Sequence, residues 1–253
     1  MLINLLTLID PQTLYILGVI FIATLVRSTF GFGESLVAVP LLSLFIPLDV
    51  AVPFSVLVSI TIAAAIVIQD WNQIHIPSAT GLLLATMLGL PLGLIYLTGA
   101  EEQMVMIILG LVIIAFSVYS LLGIKPIQLN SNQWGWLFSC GFLAGVFGGA
   151  YGLNGPPLAV YGSMRGWSAQ HFRATLQGYF LPASILGMIG YWVSGLWTSE
   201  VSFYYVTSLP VLVPAIYIGR VLNYRLGGVI FFRYIHFGLL GIGLFFLINT
   251  ILA

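Results

Sequence analysis

Apolar residues run along this chain in long, nearly unbroken stretches joined by short polar links. Eight stretches come near or above the roughly 20 residues that a helix needs to cross a bilayer. They lie at 12–30, 50–69, 77–98, 103–122, 133–150, 171–194, 201–222 and 229–252. Two shorter runs, 34–47 and 153–163, each follow a glycine cluster. They are too short for straight spans and read as half-helices or tilted segments paired with the helix before. The links Asp70–Pro77, Gly99–Gln103 and Gly195–Glu200 are short, and the longest, Gly123–Gln133, separates two halves. Met1–Asp10 has no basic stretch and no clear cleavage site, so the first run is expected to be a retained span.

The two glycine clusters are alike. One reads Phe30-Gly31-Phe32-Gly33-Glu34-Ser35-Leu36 and leads to Pro40-Leu41; the other reads Phe147-Gly148-Gly149-Ala150-Tyr151-Gly152-Leu153 and leads to Pro157-Leu158. A shift of 117 positions lays Phe30 on Phe147, Gly31 on Gly148, Leu36 on Leu153 and Pro40-Leu41 on Pro157-Leu158. Matched interruptions in two hydrophobic halves point to a transporter's binding site. The expected fold is an all-α integral membrane protein of two repeats, 1–122 and 133–253, joined by a loop at 123–132. Each repeat is a glycine-broken helical hairpin plus three transmembrane helices. Five elements per half is an odd number, so the halves are expected to have inverted topology.

Charge placement supports hairpins over kinked continuous crossings. If each break turns the chain back, Asp10, Asp49, Glu101, Glu102 and Glu200 share one side. Lys125, Arg165, Arg173, Arg220, Arg225 and Arg233 then share the other, with Asp70, His75 and His171. The basic side is expected to be cytoplasmic. A kinked crossing puts Lys125 opposite Arg165 and weakens that bias.

Composition changes the picture by excluding classes. Sixty per cent of residues are hydrophobic and six per cent charged, against about a quarter charged in soluble domains. The expected solvent is lipid. Net charge is zero, which argues against nucleic acid as a partner. Cys140 is the only cysteine, and His75 and His236 have no partner at metal-ligand spacing, so neither a disulfide nor a metal site is expected. There is no Walker-type loop and no defensible Ser/His/Asp spacing, so the expectation is a non-enzyme without cofactor.

The breaks themselves carry the candidate chemistry. An unwound stretch frees backbone N–H groups, and a helix that starts there points the positive end of its dipole at the gap. Together these make an anion site. The candidate substrate-binding residues are Gly31, Gly33, Ser35, Gly152, Asn154 and Gly155, with Asn154, Ser35 or Glu34 as helix caps. Backbone N–H groups of 33–36 and 153–155 are the expected donors. Arg27 and Arg173 offer positive charge, and Gln177, four residues from Arg173 on one helix face, offers hydrogen bonds. Ser55 and Ser59 are placed to line the same cavity. Glu34 is the candidate for proton coupling. Two plainer readings stand beside these: Arg27 and Glu34 as a structural ion pair, and the glycines as close-packing positions. Arg165 reads as a loop anchor, and Trp71, Trp134, Trp136, Trp167 and Trp197 as interface anchors.

The stretch Gly31-Phe32-Gly33-Glu34-Ser35-Leu36-Val37-Ala38-Val39-Pro40-Leu41-Leu42 resembles the first motif of the TauE/SafE sulfite exporter family, the four-toluenesulfonate uptake permease-like transporters. Gly148-Gly149-Ala150-Tyr151-Gly152-Leu153-Asn154-Gly155-Pro156-Pro157-Leu158 resembles the second, as does Tyr161–Arg173 with Trp167 and Phe172-Arg173. The resemblance runs from about 12 to 250. It implies a secondary carrier of a small anion, sulfite or an organosulfonate, in a prokaryotic inner membrane. Partners expected are the anion and lipid, with room for a homo-oligomer. Two other functions fit the residues: an anion channel with a glycine-loop filter, and a membrane accessory subunit without transport of its own.

Overall fold

The computed structural model describes residues 11–123, 127–129 and 133–225, with single positions and short runs between 237 and 248. Asp10, Lys125, Arg233, His236, the Arg225 side chain and most of the expected span 229–252 lie outside the described residues. Nine helices are complete among the described residues, which hold no strand. They are α1 (Pro11–Phe30), α2 (Glu34–Leu42), α3 (Leu48–Asp70), α4 (Ile76–Gly99), α5 (Glu102–Leu121), α6 (Trp134–Tyr151), α7 (Gly155–Met164), α8 (Ala169–Val193) and α9 (Ser199–Arg225). A single 3-10 turn, Trp71–Gln73, follows α3.

Five of these are long and apolar enough to cross a bilayer: α1, α3 with its 3-10 turn, α4, α5 and α9. The chain is an all-α, multi-pass membrane protein. At 25 residues α8 is long enough as well, but His171, Arg173 and Gln177 occupy its first turns. Arg173 and Gln177 face protein, not lipid, for both are buried. Trp71, Trp134, Trp136 and Trp197 are exposed near helix ends, as anchors are. Trp167 differs. It is partly buried, its ring packed edge-on against Tyr161.

Local chemistry explains where the helices begin. His75 caps α4, its Nδ1 accepting from the Ser78 N–H, and Pro77 sits in the first turn, where a missing N–H is harmless. Ser168 caps α8 by accepting from the His171 N–H at 3.3 Å.

Both short helices turn back. Gln12 Nε2 donates to Phe45 O at 3.2 Å and Tyr15 Oη to Leu41 O at 3.1 Å, so the end of α2 lies beside the start of α1. Leu129 N donates to Met164 O at 2.8 Å, which brings the end of α7 to the chain just ahead of α6. The hairpins sort the loops onto two ends. Asp49 and Glu102 line one surface pocket at the acidic end. At the other, the His75 and His171 rings lie 5.7 Å apart.

The two halves keep step with an offset one helical turn longer than the motif alignment gives. Helix ends Phe30 and Tyr151, and helix starts Glu34 and Gly155, each differ by 121 positions, not 117. Gly148 and Gly149 therefore stay helical, and the second break opens at Gly152, with φ 68°. Gly149 packs instead of turning: a Cβ there would overlap Leu90 O on α4. Gly141 and Gly145 bring α6 equally close to α4, the small-residue contact that lets membrane helices meet backbone to backbone. On the other flank α9 packs on α1, and α3 crosses α8 at the centre. The core is thus a four-helix contact with the two broken hairpins inserted into it.

Candidate functional site

The two breaks pass each other beside the middle of α3. Gly31-Phe32-Gly33 links α1 to α2 with φ of 88° at Gly31 and 98° at Gly33. Such left-handed backbone is costly for any residue with a Cβ. Space forbids one at Gly31 too, where a Cβ would stand 3.0 Å from the Arg173 Cα. Gly152 lies against Val56 and Ser35, which brings the second break to the first turn of α2.

Arg27 ends up inside the protein because it occupies the last turn of α1, one turn before the break. It is 3 % exposed, and Glu34, at the start of α2, is 1 % exposed. Arg27 Nη1 lies 3.2 Å from Glu34 Oε2. Nη1 also donates to Ser59 Oγ, while Nε and Nη2 donate to Gln177 Oε1 at 3.2 and 3.0 Å. The guanidinium carbon sits 4.6 Å from the centre of the Phe180 ring, a cation–π contact. Glu34 accepts from Ser55 Oγ at 2.6 Å and Ser35 Oγ at 3.1 Å. Ser59 continues the network to Ser184 at 3.0 Å, and Gln177 Nε2 donates to Gly31 O at 2.6 Å. Four side chains from three helices, Ser35, Ser55, Ser59 and Gln177, therefore hydrogen-bond one buried ion pair. Taking away one partner of such a pair leaves a naked charge, a loss of about 3–5 kcal/mol.

Beside the pair is a cavity of about 20 Å³. Arg27, Gly33, Glu34, Ser35, Gly152 and Gly155 line it, with Phe32, Leu36, Ser59, Leu153, Pro156 and Phe180. It has room for about one water and none for an oxyanion until its walls move. The start of α2 faces it with backbone N–H groups that have no partner within the helix. The start of α7 offers fewer donors. Pro156 and Pro157 have no N–H, and the Leu153 N–H is already given to Phe147 O at 3.1 Å.

Two expected site residues stand elsewhere, and the expected caps do not form. Asn154 occupies the position before α7 without capping it; its Nδ2 donates to Ala144 O at 3.1 Å and Tyr179 Oη at 3.4 Å, which ties α7 to α6 and α8. Neither Ser35 nor Glu34 caps α2, since Gly33 holds that position and makes no side-chain cap. Arg173 points away from the cavity, towards the basic end, with Nη1 3.2 Å from Asn223 Oδ1 and 3.8 Å from Asp70 Oδ2. Asn223 Nδ2 in turn donates to Thr29 O at 2.6 Å, so Arg173 latches α1, α3 and α9 to α8. Gly31 lies between the two groups: its carbonyl takes the Gln177 bond, and a Cβ on it would meet Arg173.

Sequence reasoning missed Phe32, Phe180, Tyr179 and Ser184. Ser184 had a legible signal, lying seven residues, about two turns, from Gln177 on the same face of α8. The aromatic residues had none, because seventeen phenylalanines and twelve tyrosines give no reason to single out these.

At the basic end, His75 N donates to Thr175 Oγ1 at 3.0 Å, so the link between α3 and α4 docks on α8 two residues from Arg173. Burial, with smaller effects from His171 and Arg165, holds the His75 imidazole below the usual histidine range. A neutral ring is also what the cap of α4 requires, because Nδ1 must accept.

A family model described as Sulfite exporter TauE/SafE matches residues 16–247 of the chain. No curated protein and no solved structure matches it.

Proposed function

Because the chain belongs to the TauE/SafE sulfite exporter family, we propose that it is a secondary carrier of sulfite or an organosulfonate that works by alternating access in a prokaryotic inner membrane. The observation that carries this reading is the buried Arg27–Glu34 pair in a cavity between two glycine breaks. Ionisable groups at such depth are expensive and mark transport pathways.

The pair also gives a coupling mechanism. Glu34 takes the same donors that an oxyanion needs: Arg27 Nη1, Ser35 Oγ and Ser55 Oγ. While the carboxylate is ionised it competes with the substrate for them. A proton on Glu34 releases Arg27 and the serines, and a monoanion then takes the vacated place. One proton enters with one anion, so the buried charge stays balanced. Backbone N–H groups at the start of α2 add donors, and Gln177 holds the guanidinium in position. Arg173 guards the basic end and does not touch the anion.

Paired contacts support two inverted halves, 1–122 and 133–253, about the loop 123–132. The α1–α9 packing has its counterpart in α6–α4, α3–α9 in α8–α4, and the α1–α2 hairpin in α6–α7, while α3 meets α8 on the axis. Rocking one half against the other is the movement such a construction permits. With Arg165, Arg220 and His171 at one end, the positive-inside rule makes that end cytoplasmic. The contracted cavity favours a carrier over a channel, which needs a continuous path.

The test is uptake of labelled sulfite into proteoliposomes of the purified chain, with and without a proton gradient, competed by sulfoacetate, thiosulfate and acetate. Saturable, gradient-driven uptake with counterflow is the expected result. Unsaturable flux would make it a channel, and no flux of any anion would return the accessory-subunit reading.

A further inference from the structure

The three-residue link between α1 and α2 holds one side chain, Phe32, between two left-handed glycines. Phe32 is 5 % exposed. Its ring meets Phe116 of α5 at 6.1 Å and Phe172 of α8 at 6.0 Å, edge to face in both cases. On its other side it abuts Gly155, where a Cβ would lie 3.2 Å from the ring.

Phe32 lines two cavities. One is the 20 Å³ space beside Arg27. The other, of about 310 Å³, is walled by Phe116, Tyr119, Ala159, Ser163, Trp167 and Phe172. It reaches the exposed Ser163 near the end of α7, on the basic side. His171 stands 5.6 Å and His75 6.3 Å from the Trp167 ring, and Arg165 follows two residues after Ser163. A large chamber, with His171 and His75 beside its Trp167 wall, therefore ends on the small cavity at Arg27, and one ring separates them.

Resting on the carrier reading above, we propose that Phe32 is the specificity-determining partition of this protein. The chamber is the cytoplasmic arm of the path, and the ring decides which anions pass from it to Arg27. Glycine on both sides lets the link change φ and ψ without a Cβ in the way, so the ring moves while α1 and α2 remain intact. Aromatic edges carry partial positive charge, which suits walls that an anion must slide past. The chamber is wide enough for an organic group behind a sulfonate head; the cavity beyond the ring is not.

The experiment compares sulfite with benzenesulfonate in proteoliposomes of wild type, Phe32→Ala and Ser163→Phe. Phe32→Ala should raise the benzenesulfonate-to-sulfite flux ratio by about tenfold, the low end of what one side chain's worth of pocket space commonly gives. Ser163→Phe, which fills the chamber's mouth and leaves the Arg27 site untouched, should lower that ratio by about as much. Wild-type ratios in both variants would overturn the proposal. Should Phe32→Ala not fold, the Ser163→Phe ratio decides alone. Wild-type protein without saturable sulfite flux would overturn the carrier reading, and this one with it; wild-type flux with unmoved ratios overturns only the role of Phe32.

Discussion

Arg27 and Gln177 stand 150 positions apart, yet Gln177 Oε1 accepts from Nε and Nη2 of Arg27 at 3.2 and 3.0 Å. The same amide donates to Gly31 O at 2.6 Å. One side chain of the second half thus holds both the charge and the break of the first. Removing it should loosen both.

Gln177→Ala leaves two buried polar groups short of a partner. It is expected to lower stability by about 1–3 kcal/mol per unsatisfied group and to raise the KM for the anion more than it lowers the maximal rate. Thermal unfolding in detergent and uptake kinetics measure the two effects. Wild-type behaviour in both would show that the amide merely fills space.

Arg173→Ala tests the latch. The substitution removes the bonds to Asn223 and Asp70 but leaves Asn223 on Thr29 O and leaves the Arg27 network whole. The variant is expected to fold and to lose transport. Wild-type rates would show that the basic end needs no latch.

Gly31→Ala is expected to be destabilising by at least 1–2 kcal/mol, roughly the cost of left-handed backbone with a Cβ, with the Arg173 contact added. Gly18→Ala is the control: it lies in α1 and a Cβ there meets nothing within 4 Å. In a helix interior that change gains about 0.5–1 kcal/mol. Opposite shifts in thermal midpoint are the expected pattern, and equal shifts would contradict it.

His75 supplies the pH dependence. Its folded-state pKa lies below the unfolded one, so folding favours the neutral ring. Stability is complete above about pH 6.5, the ordinary histidine value, and falls as pH drops through the lower folded value. His75→Asn keeps an accepting cap without titrating. The variant is expected to flatten the decline in thermal midpoint between neutral and mildly acid pH, and an unchanged slope would assign the decline to another group.

Much of the fold was legible from apolar run length alone, because lipid leaves a helix little choice: the stretches at 12–30, 77–98 and 103–122 became α1, α4 and α5. The break at Gly31-Phe32-Gly33 and the pairing of Arg27 with Glu34 were also legible, since a buried arginine needs a counter-charge close by. The second break lies at Gly152, between the stretches ending at 150 and starting at 153, but the alignment that laid Gly31 on Gly148 was one turn short. Phe147-Gly148-Gly149 looks like the first motif, but glycine serves close packing as readily as turning, and only the position of α4 decides which. Asn154 was read as a cap from its place before two prolines; its partner, Ala144 O, lies on the preceding helix and has no local signature. Arg173 and Gln177 share a helix face as their spacing requires, yet a turn of separation in depth puts one at the latch and the other on Arg27.

The most direct test of the central claim is transport by Glu34→Gln. Proteoliposomes of the variant and of wild type are compared for counterflow of labelled sulfite and for accumulation driven by a proton gradient. If Glu34 carries the proton and vacates its place for the anion, the variant exchanges sulfite at a rate independent of pH but no longer accumulates it. Gradient-driven accumulation equal to wild type would contradict the account and leave Arg27 and Glu34 as a structural ion pair.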